Sequence, residues 1–126
     1  MLMKKGRVLL VDDEPHILTA LEFLVETAGY QVRKAREGKE ALRLAKDFLP
    51  DIIVLDVMMP GMDGFEVAKH IRQMPELEDA RIVFLTAKGT MQDRAQGYSS
   101  GGEVYLTKPF DNDQLLTIIN EVLEFG

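Results

Sequence analysis

The stretch Val8-Leu9-Leu10-Val11-Asp12-Asp13-Glu14-Pro15 contains the pattern that the rest of the sequence repeats. Four consecutive apolar residues with two valines are typical of a strand that is buried on both faces, as in a parallel sheet. Three acids follow at once, and Pro15 stands where the first turn of a helix tolerates proline. A buried strand that leads through an acidic turn into a helix is the first unit of an α/β fold.

Similar units recur along the chain. Apolar runs with strand character lie at Ile52–Leu55 and Ile82–Leu85, and weaker ones lie at Gln31–Arg33 and Val104–Leu106. Between them, apolar residues recur at helical spacing. These predicted helical stripes are Ile17, Leu21, Leu24, Val25 and Ala28; Ala41, Leu42, Ala45 and Leu49; Val67, Ala68, Ile71 and Met74; and Leu115, Ile118, Ile119 and Val122.

Glycine and proline mark where the helices are expected to end. Gly29 follows the first stripe, Pro50 the second and Pro75 the third, and a further helix over Thr90–Gly97 is bounded by glycines. Strand and helix therefore alternate five times. With right-handed crossovers this alternation predicts a five-stranded parallel sheet covered by helices on both faces.

Composition limits the classes of function. The 126 residues carry no internal linker or repeat, so we expect residues 1–126 to form one domain. A net charge of −6 argues against direct contact with nucleic acid, which attracts clustered cations. The absence of cysteine excludes a disulfide framework, a thiolate metal site and a thiol nucleophile. Apolar runs are far shorter than the roughly 20 residues of a membrane span, and no signal peptide is apparent, so a cytoplasmic protein without a membrane partner is expected.

Charged or hydroxyl residues follow four of the five predicted strands. Asp12 and Asp13 follow the first, Asp56 the third and Thr86 the fourth, while Lys108 stands just after the last. The carboxyl ends of parallel strands lie along one edge of a sheet, where ligand sites form. We therefore expect these five side chains to share one cleft.

The charges in that cleft suggest its chemistry. Three crowded carboxylates need a cation unless they are protonated, and an all-oxygen ligand set with few protein ligands suits Mg²⁺. The metal and Lys108 can neutralise phosphoryl oxygens, Thr86 can donate a hydrogen bond and a carboxylate can attack in line. Asp56 is the best candidate nucleophile because it stands alone at the end of a central strand, whereas Asp12 and Asp13 suit metal binding.

Four stretches of the sequence resemble the receiver domains of bacterial two-component response regulators, of the chemotaxis-regulator type. They are Val8–Pro15, Ile53–Gly64, Phe84–Lys88 and Tyr105–Phe110, and the similarity covers essentially the whole chain. The resemblance implies a doubly wound, flavodoxin-like three-layer sandwich with strand order 2-1-3-4-5. It also implies a phosphoacceptor switch that phosphorylates and dephosphorylates itself, rather than an enzyme with turnover.

The resemblance implies a phosphoacceptor and a metal site. Asp56 would accept a phosphoryl group from the phosphohistidine of a sensor histidine kinase or a phosphotransfer protein. Asp13, Asp56 and the main-chain carbonyl of Met58 would bind Mg²⁺ directly, and Asp12 would contribute through water. Mn²⁺ is the alternative ion.

The resemblance also implies how the switch would work. Thr86 and Lys108 would contact the phosphoryl oxygens, and Tyr105 would change rotamer as Thr86 moves. The surface of the fourth helix, last strand and last helix would then change. The output partner is unknown: the sequence ends directly after its last helix, which suggests either a single-domain regulator or a receiver separated from its effector domain.

Three rival functions follow from the same pattern. A flavodoxin-like phosphate cradle uses backbone amides and hydroxyls in the first loop, where this chain has three acids. A phosphatase of the haloacid dehalogenase type has a second Asp two residues after its nucleophile, where this chain has Met58. A phosphorylation-independent pseudo-receiver that acts as a docking module stays open as the alternative, although such proteins generally lack one or more site residues and this chain keeps all five.

Simpler roles exist for some polar residues. Asp12 or Asp13 could cap the first helix, which is compatible with metal binding. His16 and His70 have no second His or Cys at ligand spacing and are expected on helix surfaces.

Overall fold

The computed structural model describes residues 6–87, 91–108 and 111–125. In these ranges the strands are β1 (Arg7–Val11), β2 (Gln31–Ala35), β3 (Ile52–Leu55), β4 (Arg81–Thr86) and β5 (Val104–Thr107). The α-helices are α1 (Pro15–Thr27), α2 (Gly38–Phe48), α3 (Gly64–Arg72), α4 (Met91–Ser99) and α5 (Asn112–Phe125), and a short 3₁₀ helix spans Pro75–Leu77. Strand and helix alternate five times, as predicted.

All five strands pair in parallel in one sheet with the order β2-β1-β3-β4-β5. This confirms the α/β class and the predicted strand order 2-1-3-4-5. The chain moves outward in opposite directions from the β1–β3 pair, so the topological switch point lies between the carboxyl ends of these two strands. Any ligand site of an open α/β sheet is expected there.

The sheet separates two hydrophobic cores. Alternate residues of a strand point to opposite faces, so Val8 and Leu10 pack with α1 and α5, whereas Leu9 and Val11 pack with α2 and α3. These four side chains are at most 2% exposed. Each such side chain stabilises the fold by about 1.5–3 kcal/mol relative to an exposed one. The central strands are therefore held from both sides, which explains their continuous apolar runs.

Helix α2 differs from its prediction at the C-terminal end. The helix ends at Phe48, and Leu49 follows in the left-handed region with φ 52° and an exposed side chain. The expectation that Leu49 belongs to the apolar stripe is wrong. The ring of Pro50 disfavours helical geometry at the residue before it, so the chain leaves the helix before Leu49 can point inward.

Helix α4 also differs from its prediction. It continues to Ser99, past Gly97, whereas the sequence suggested that Gly97 ends the helix. Thr90, the predicted first residue, lies outside the described residues. Gly97 is buried and lies against the ring of Tyr105, so packing rather than helix termination explains this glycine.

The surfaces of the remaining helices agree with the sequence. His16 on α1 and His70 on α3 are exposed, as expected. Across the described ranges, no helix has both the length and the apolar character that crossing a bilayer requires.

Gly64, the first residue of helix α3, packs tightly against the backbone just after β3. A Cβ atom on Gly64 would lie 2.3 Å from the carbonyl oxygen of Asp56 and 2.8 Å from Cα of Val57. We expect Gly64→Ala to lower the free energy of unfolding by about 1–3 kcal/mol, as overpacked sites do, although alanine is the better helix former. Urea unfolding measures this difference.

Gly61→Asn is the matched control for this prediction. Gly61 lies in the loop just before α3, with open space around it and φ 78°, a conformation that asparagine tolerates, so this variant should keep close to wild-type stability. A Gly64→Ala variant as stable as the wild type would contradict the close packing of α3 on β3.

Candidate functional site

The backbone of the site residues is fixed because the hydrogen-bond ladder of the sheet continues beyond the strands. The N–H of Asp12 donates to a carbonyl oxygen of β2 at 3.1 Å, and the N–H of Asp56 donates to a carbonyl oxygen of β1 at 2.9 Å. The N–H of Lys108 donates to the carbonyl oxygen of Thr86 at 2.8 Å. Neighbouring strands therefore position these residues with the regularity of a sheet.

The carboxylates of Asp12 and Asp56 are held in the same way. One oxygen of each accepts a hydrogen bond from the N–H two residues later, from Glu14 at 3.0 Å and from Met58 at 3.1 Å. The other oxygens face the ammonium of Lys108, whose Nζ is 3.2 Å from Oδ2 of Asp12 and 3.7 Å from Oδ2 of Asp56. Both carboxylates are thus anchored by backbone on one side and share one cation on the other.

Asp13 completes a cluster of three acids. One carboxylate oxygen from each of Asp12, Asp13 and Asp56 lies within 4.8 Å of the other two. Asp12 and Asp56 are buried, and Asp13 is partly exposed. Three neighbouring anionic oxygens are a donor set that suits a hard divalent ion such as Mg²⁺ or Mn²⁺. The cluster could therefore hold such an ion.

The electrostatic environment raises the pKa of the Asp56 carboxyl above its ordinary value. Burial is the largest cause, and the charge of Asp12 is the second. The ammonium of Lys108, the N–H of Met58 and a hydrogen bond with Thr86 lower the pKa without cancelling these effects. The negative charge of Asp56 is only partly compensated, which favours binding of a further cation.

The remaining predicted residues lie beside the acids. Thr86 is fully buried as the last residue of β4, and its side chain hydrogen-bonds Asp56. Tyr105 on β5 is also buried, with its ring centroid 5.8 Å from that of Phe84. The side chain of Met58 is exposed, and its backbone lies in the loop directly after Asp56. The five strand-end side chains meet at one edge of the sheet, as the sequence predicts.

The helix-capping alternative for the paired acids is wrong. Glu14 occupies the N-cap position of α1, and its side chain makes no capping hydrogen bond. The carboxylate of Asp12 instead receives the N–H of Glu14, which stabilises the turn between β1 and α1. Both Asp12 and Asp13 therefore precede the helix.

Sequence reasoning missed two features near the site. Asp63 caps α3 through a reciprocal capping box with Glu66, which the Asp-x-x-Glu spacing could have revealed. Arg94 of α4 donates to the carbonyl oxygen of Tyr105 at 3.1 Å and to Oγ1 of Thr107 at 2.7 Å. No local pattern in the sequence indicates the Arg94 contacts, because they join a helix to a strand.

Comparison with known proteins gives a consistent result. Residues 8–120 match the family described as "Response regulator receiver domain". The DNA-binding dual master transcriptional regulator RpaA of Synechocystis sp. is 40% identical over 117 residues, which cover 93% of this chain and 48% of RpaA. The chain spans about half the length of the transcriptional regulators that it matches.

Solved structures agree in fold. The chemotaxis protein CheY4 of Vibrio cholerae gives a TM-score of 0.89 at 34% identity, covering 93% of this chain and 98% of that one. The receiver domain of sensor histidine kinase PA1611 from Pseudomonas aeruginosa gives a TM-score of 0.86 at 30% identity, covering 94% and 97%. That second structure holds a magnesium ion coordinated in its active site cleft.

The raised pKa of Asp56 predicts that a neutral residue at this position stabilises the fold. The comparison is made in EDTA, so that no divalent ion contributes. We expect Asp56→Asn to raise the free energy of unfolding at neutral pH by about 0.5–2 kcal/mol, because asparagine removes a poorly compensated charge and keeps the side-chain volume. Asp79→Asn is the control, since Asp79 is exposed and lies before the amino end of β4. Equal stability of Asp56→Asn and wild type in urea would contradict the electrostatic account.

The same pKa shift predicts a pH dependence. The folded-state pKa of Asp56 lies above the unfolded-state value, so the folded protein binds more protons between the two values. The contribution of Asp56 to the free energy of unfolding therefore falls as pH rises through that window. Urea unfolding at a series of acidic pH values measures this effect. The free energy of unfolding of Asp56→Asn, relative to that of the wild type, should increase as pH rises. A difference that does not change with pH would contradict the shift.

Proposed function

The chain belongs to the response regulator receiver family, and from this membership and its site we propose that it is a phosphoacceptor switch in which Asp56 carries the phosphoryl group. Domains of this family are signalling switches rather than enzymes with turnover. The observation that carries the proposal is the buried Asp56 carboxylate, which has a raised pKa and lies beside two neighbouring acids and the ammonium of Lys108. We take residues 1–126 as one receiver domain.

The acids would hold the divalent ion that the phosphoryl group needs. Asp13, Asp56 and the main-chain carbonyl of Met58 would bind Mg²⁺, or Mn²⁺, and Asp12 would bind through water. When bound, the ion supplies positive charge that offsets the phosphoryl oxygens. Support comes from the spacing of the three carboxylates and from the magnesium ion in the cleft of the PA1611 receiver domain.

Phosphoryl transfer uses the residues of this chain in separate roles. A carboxylate oxygen of Asp56 attacks the phosphorus of a phosphohistidine on a sensor kinase or phosphotransfer protein. The new O–P bond forms as the N–P bond breaks, and the histidine leaves as neutral imidazole when its other ring nitrogen is protonated. The ammonium of Lys108 faces the carboxylates of Asp12 and Asp56 before transfer and would contact the phosphoryl oxygens afterwards. Water then hydrolyses the acylphosphate, which restores Asp56 and releases inorganic phosphate.

The hydroxyl of Thr86 links the chemistry to the surface. It hydrogen-bonds the Asp56 carboxylate in the unmodified protein and would donate to a phosphoryl oxygen after transfer. Its movement would alter the packing contacts of Tyr105 on the adjacent strand and so change the surface formed by α4, β5 and α5. The output is an effector domain of a longer protein, as the DNA-binding description of RpaA suggests, or a separate protein partner.

Two further expectations complete the proposal. The chain acts in the cytoplasm, where histidine kinases present their phosphohistidine. Its own residues contact neither nucleic acid nor membrane, in keeping with the net charge of −6. The alternative of a phosphorylation-independent pseudo-receiver has no missing site residue in its favour.

Incubation with acetyl phosphate and Mg²⁺ tests the phosphoacceptor role. Intact mass spectrometry should detect one added phosphoryl group on the wild type. EDTA and Asp56→Asn should each abolish the adduct, because the first removes the cation and the second removes the nucleophile. Asp79→Asn should be modified like wild type. A wild-type protein that stays unmodified would favour the pseudo-receiver instead.

Thermal unfolding tests the metal site without any phosphodonor. A ligand at 100 times its Kd stabilises the folded state by about 2.7 kcal/mol, so saturating Mg²⁺ should clearly raise the Tm of the wild type. Asp13→Asn should lose most of this increase because one of the three carboxylates is gone, while Asp79→Asn should keep it. An Mg²⁺ response that is the same in Asp13→Asn and wild type would place the ion elsewhere.

A further inference from the structure

We propose that Gly97 and Arg94 of α4 hold the ring of Tyr105 in its buried position before any phosphoryl group is present. The consequence for signalling rests on the proposed switch function. The position of the ring does not, because it can be measured in the unmodified protein. Arg94 acts here as a positioning residue and contacts none of the reacting groups.

The ring of Tyr105 lies in a slot that exists because residue 97 has no side chain. A Cβ atom on Gly97 would lie 2.6 Å from Cδ2 and 3.0 Å from Cε2 of Tyr105, and 3.2 Å from the Phe84 ring. Tyr105 is only 4% exposed in this slot. Any larger residue at position 97 would have to displace the ring or the helix.

Gly97 makes helix α4 less stable than alanine would, which indicates that the space it leaves for the Tyr105 ring has a role. Glycine inside a helix weakens it relative to alanine, and Gly97 lies within α4 rather than at its end. Gly102 lies beside Gly97 at the same edge of the Phe84 ring, since a Cβ there would lie 2.5 Å from Cε2 of Phe84 and 3.1 Å from the carbonyl oxygen of Gly97. Two glycines thus make room for the packed rings of Phe84 and Tyr105.

The guanidinium of Arg94 lies over the ring of Tyr105 in this slot. Its guanidinium carbon lies 5.4 Å from the centroid of the Tyr105 ring, within the range of a cation–π contact. The same group donates to the backbone carbonyl of Tyr105 at 3.1 Å and to Oγ1 of Thr107 at 2.7 Å. A planar guanidinium can stack on the ring and donate from two nitrogens at once, whereas a lysine has one compact ammonium nitrogen for all of its contacts.

The Arg94 contacts also reach the phosphoacceptor site. Thr107 directly precedes Lys108, whose ammonium lies beside the carboxylates of Asp12 and Asp56. One side chain of α4 therefore holds both the buried ring and the strand end that carries the lysine. This connects the helix to the site through two contacts in series.

A ring that is already buried limits what phosphorylation can change. A ligand or modification shifts a two-state equilibrium only by its differential free energy with the two states, and a state that is already dominant gains little population. In place of the rotamer change that the family resemblance implies, we therefore expect phosphorylation of this chain to change the position of the Tyr105 ring little. Substitutions at Gly97 or Arg94 should change it without phosphorylation.

Fluorine NMR of protein labelled with 3-fluorotyrosine tests this directly. The chain has three tyrosines, so the spectrum has three resonances, and Tyr→Phe variants assign them. In EDTA and without phosphodonor, we expect the Tyr105 resonance to show the small solvent-isotope shift of a buried ring, unlike half-exposed Tyr98. Gly97→Ala should move most of the Tyr105 signal to the exposed type.

The Arg94 variants separate positioning from general loss of structure. Arg94→Ala should give a second, exposed-type Tyr105 resonance, and Arg94→Lys should restore the buried signal only in part. Gln92→Ala, an exposed position on the same helix, should leave the spectrum unchanged. An exposed-type Tyr105 resonance in wild type, or one that Gly97→Ala and Arg94→Ala leave unmoved, would overturn the proposal.

A double-mutant comparison keeps the test decisive if Gly97→Ala folds poorly. In the wild-type background Gly97→Ala should lower the urea midpoint, because its methyl group meets the ring. In the Tyr105→Ala background it should lower the midpoint much less or raise it, because the ring is gone, the helix gains alanine and only Phe84 stays close to the new methyl group. An equal decrease in both backgrounds would overturn the proposal that residue 97 leaves space for the ring. Both tests use unmodified protein, so their failure and a failure of phosphorylation are distinguishable.

Discussion

Repulsion between carboxylates at the carboxyl edge of the sheet is the interaction around which the site is organised. Asp12 and Asp56 are buried and share the ammonium of Lys108, at 3.2 Å and 3.7 Å, while Asp13 adds a third acid. One ammonium cannot offset three carboxylates, and the raised pKa of Asp56 reflects this through burial and the charge of Asp12. A site with surplus negative charge favours a divalent ion and, with that ion present, tolerates a phosphoryl group.

The sheet holds the three acids close together despite the repulsion between their charges. Asp12 and Asp56 extend β1 and β3 by one hydrogen-bonded residue each, and apolar cores hold both strands from two sides. Burial of many side chains there outweighs the local repulsion between the acids. Gly64 adds a steric condition, because only a residue without Cβ lets α3 approach the backbone of Asp56. Function and stability therefore oppose each other at this edge, as is common for active sites.

Most of the fold and the site could be predicted because their signals are local. Each buried strand is a short apolar run, and the residue after it must lie at the carboxyl edge, so Asp12 and Asp56 were readable from position alone. Leu49 departs from the apolar stripe of α2 because Pro50 decides its backbone conformation. The position of Gly97 inside α4 does not follow from local sequence, because the ring of Tyr105 that requires a glycine there belongs to another element. The Arg94 contacts were unpredictable for the same reason, since they join α4 to β5.

We propose that Asp56, and neither of the two acids beside it, carries the phosphoryl group. Borohydride reduces an aspartyl phosphate to homoserine, and fragment mass spectrometry then locates the reduced residue in the chain. After treatment with acetyl phosphate and Mg²⁺, the account predicts homoserine at position 56 alone. Homoserine at position 12 or 13, or a phosphorylated chain that yields no homoserine, would contradict it.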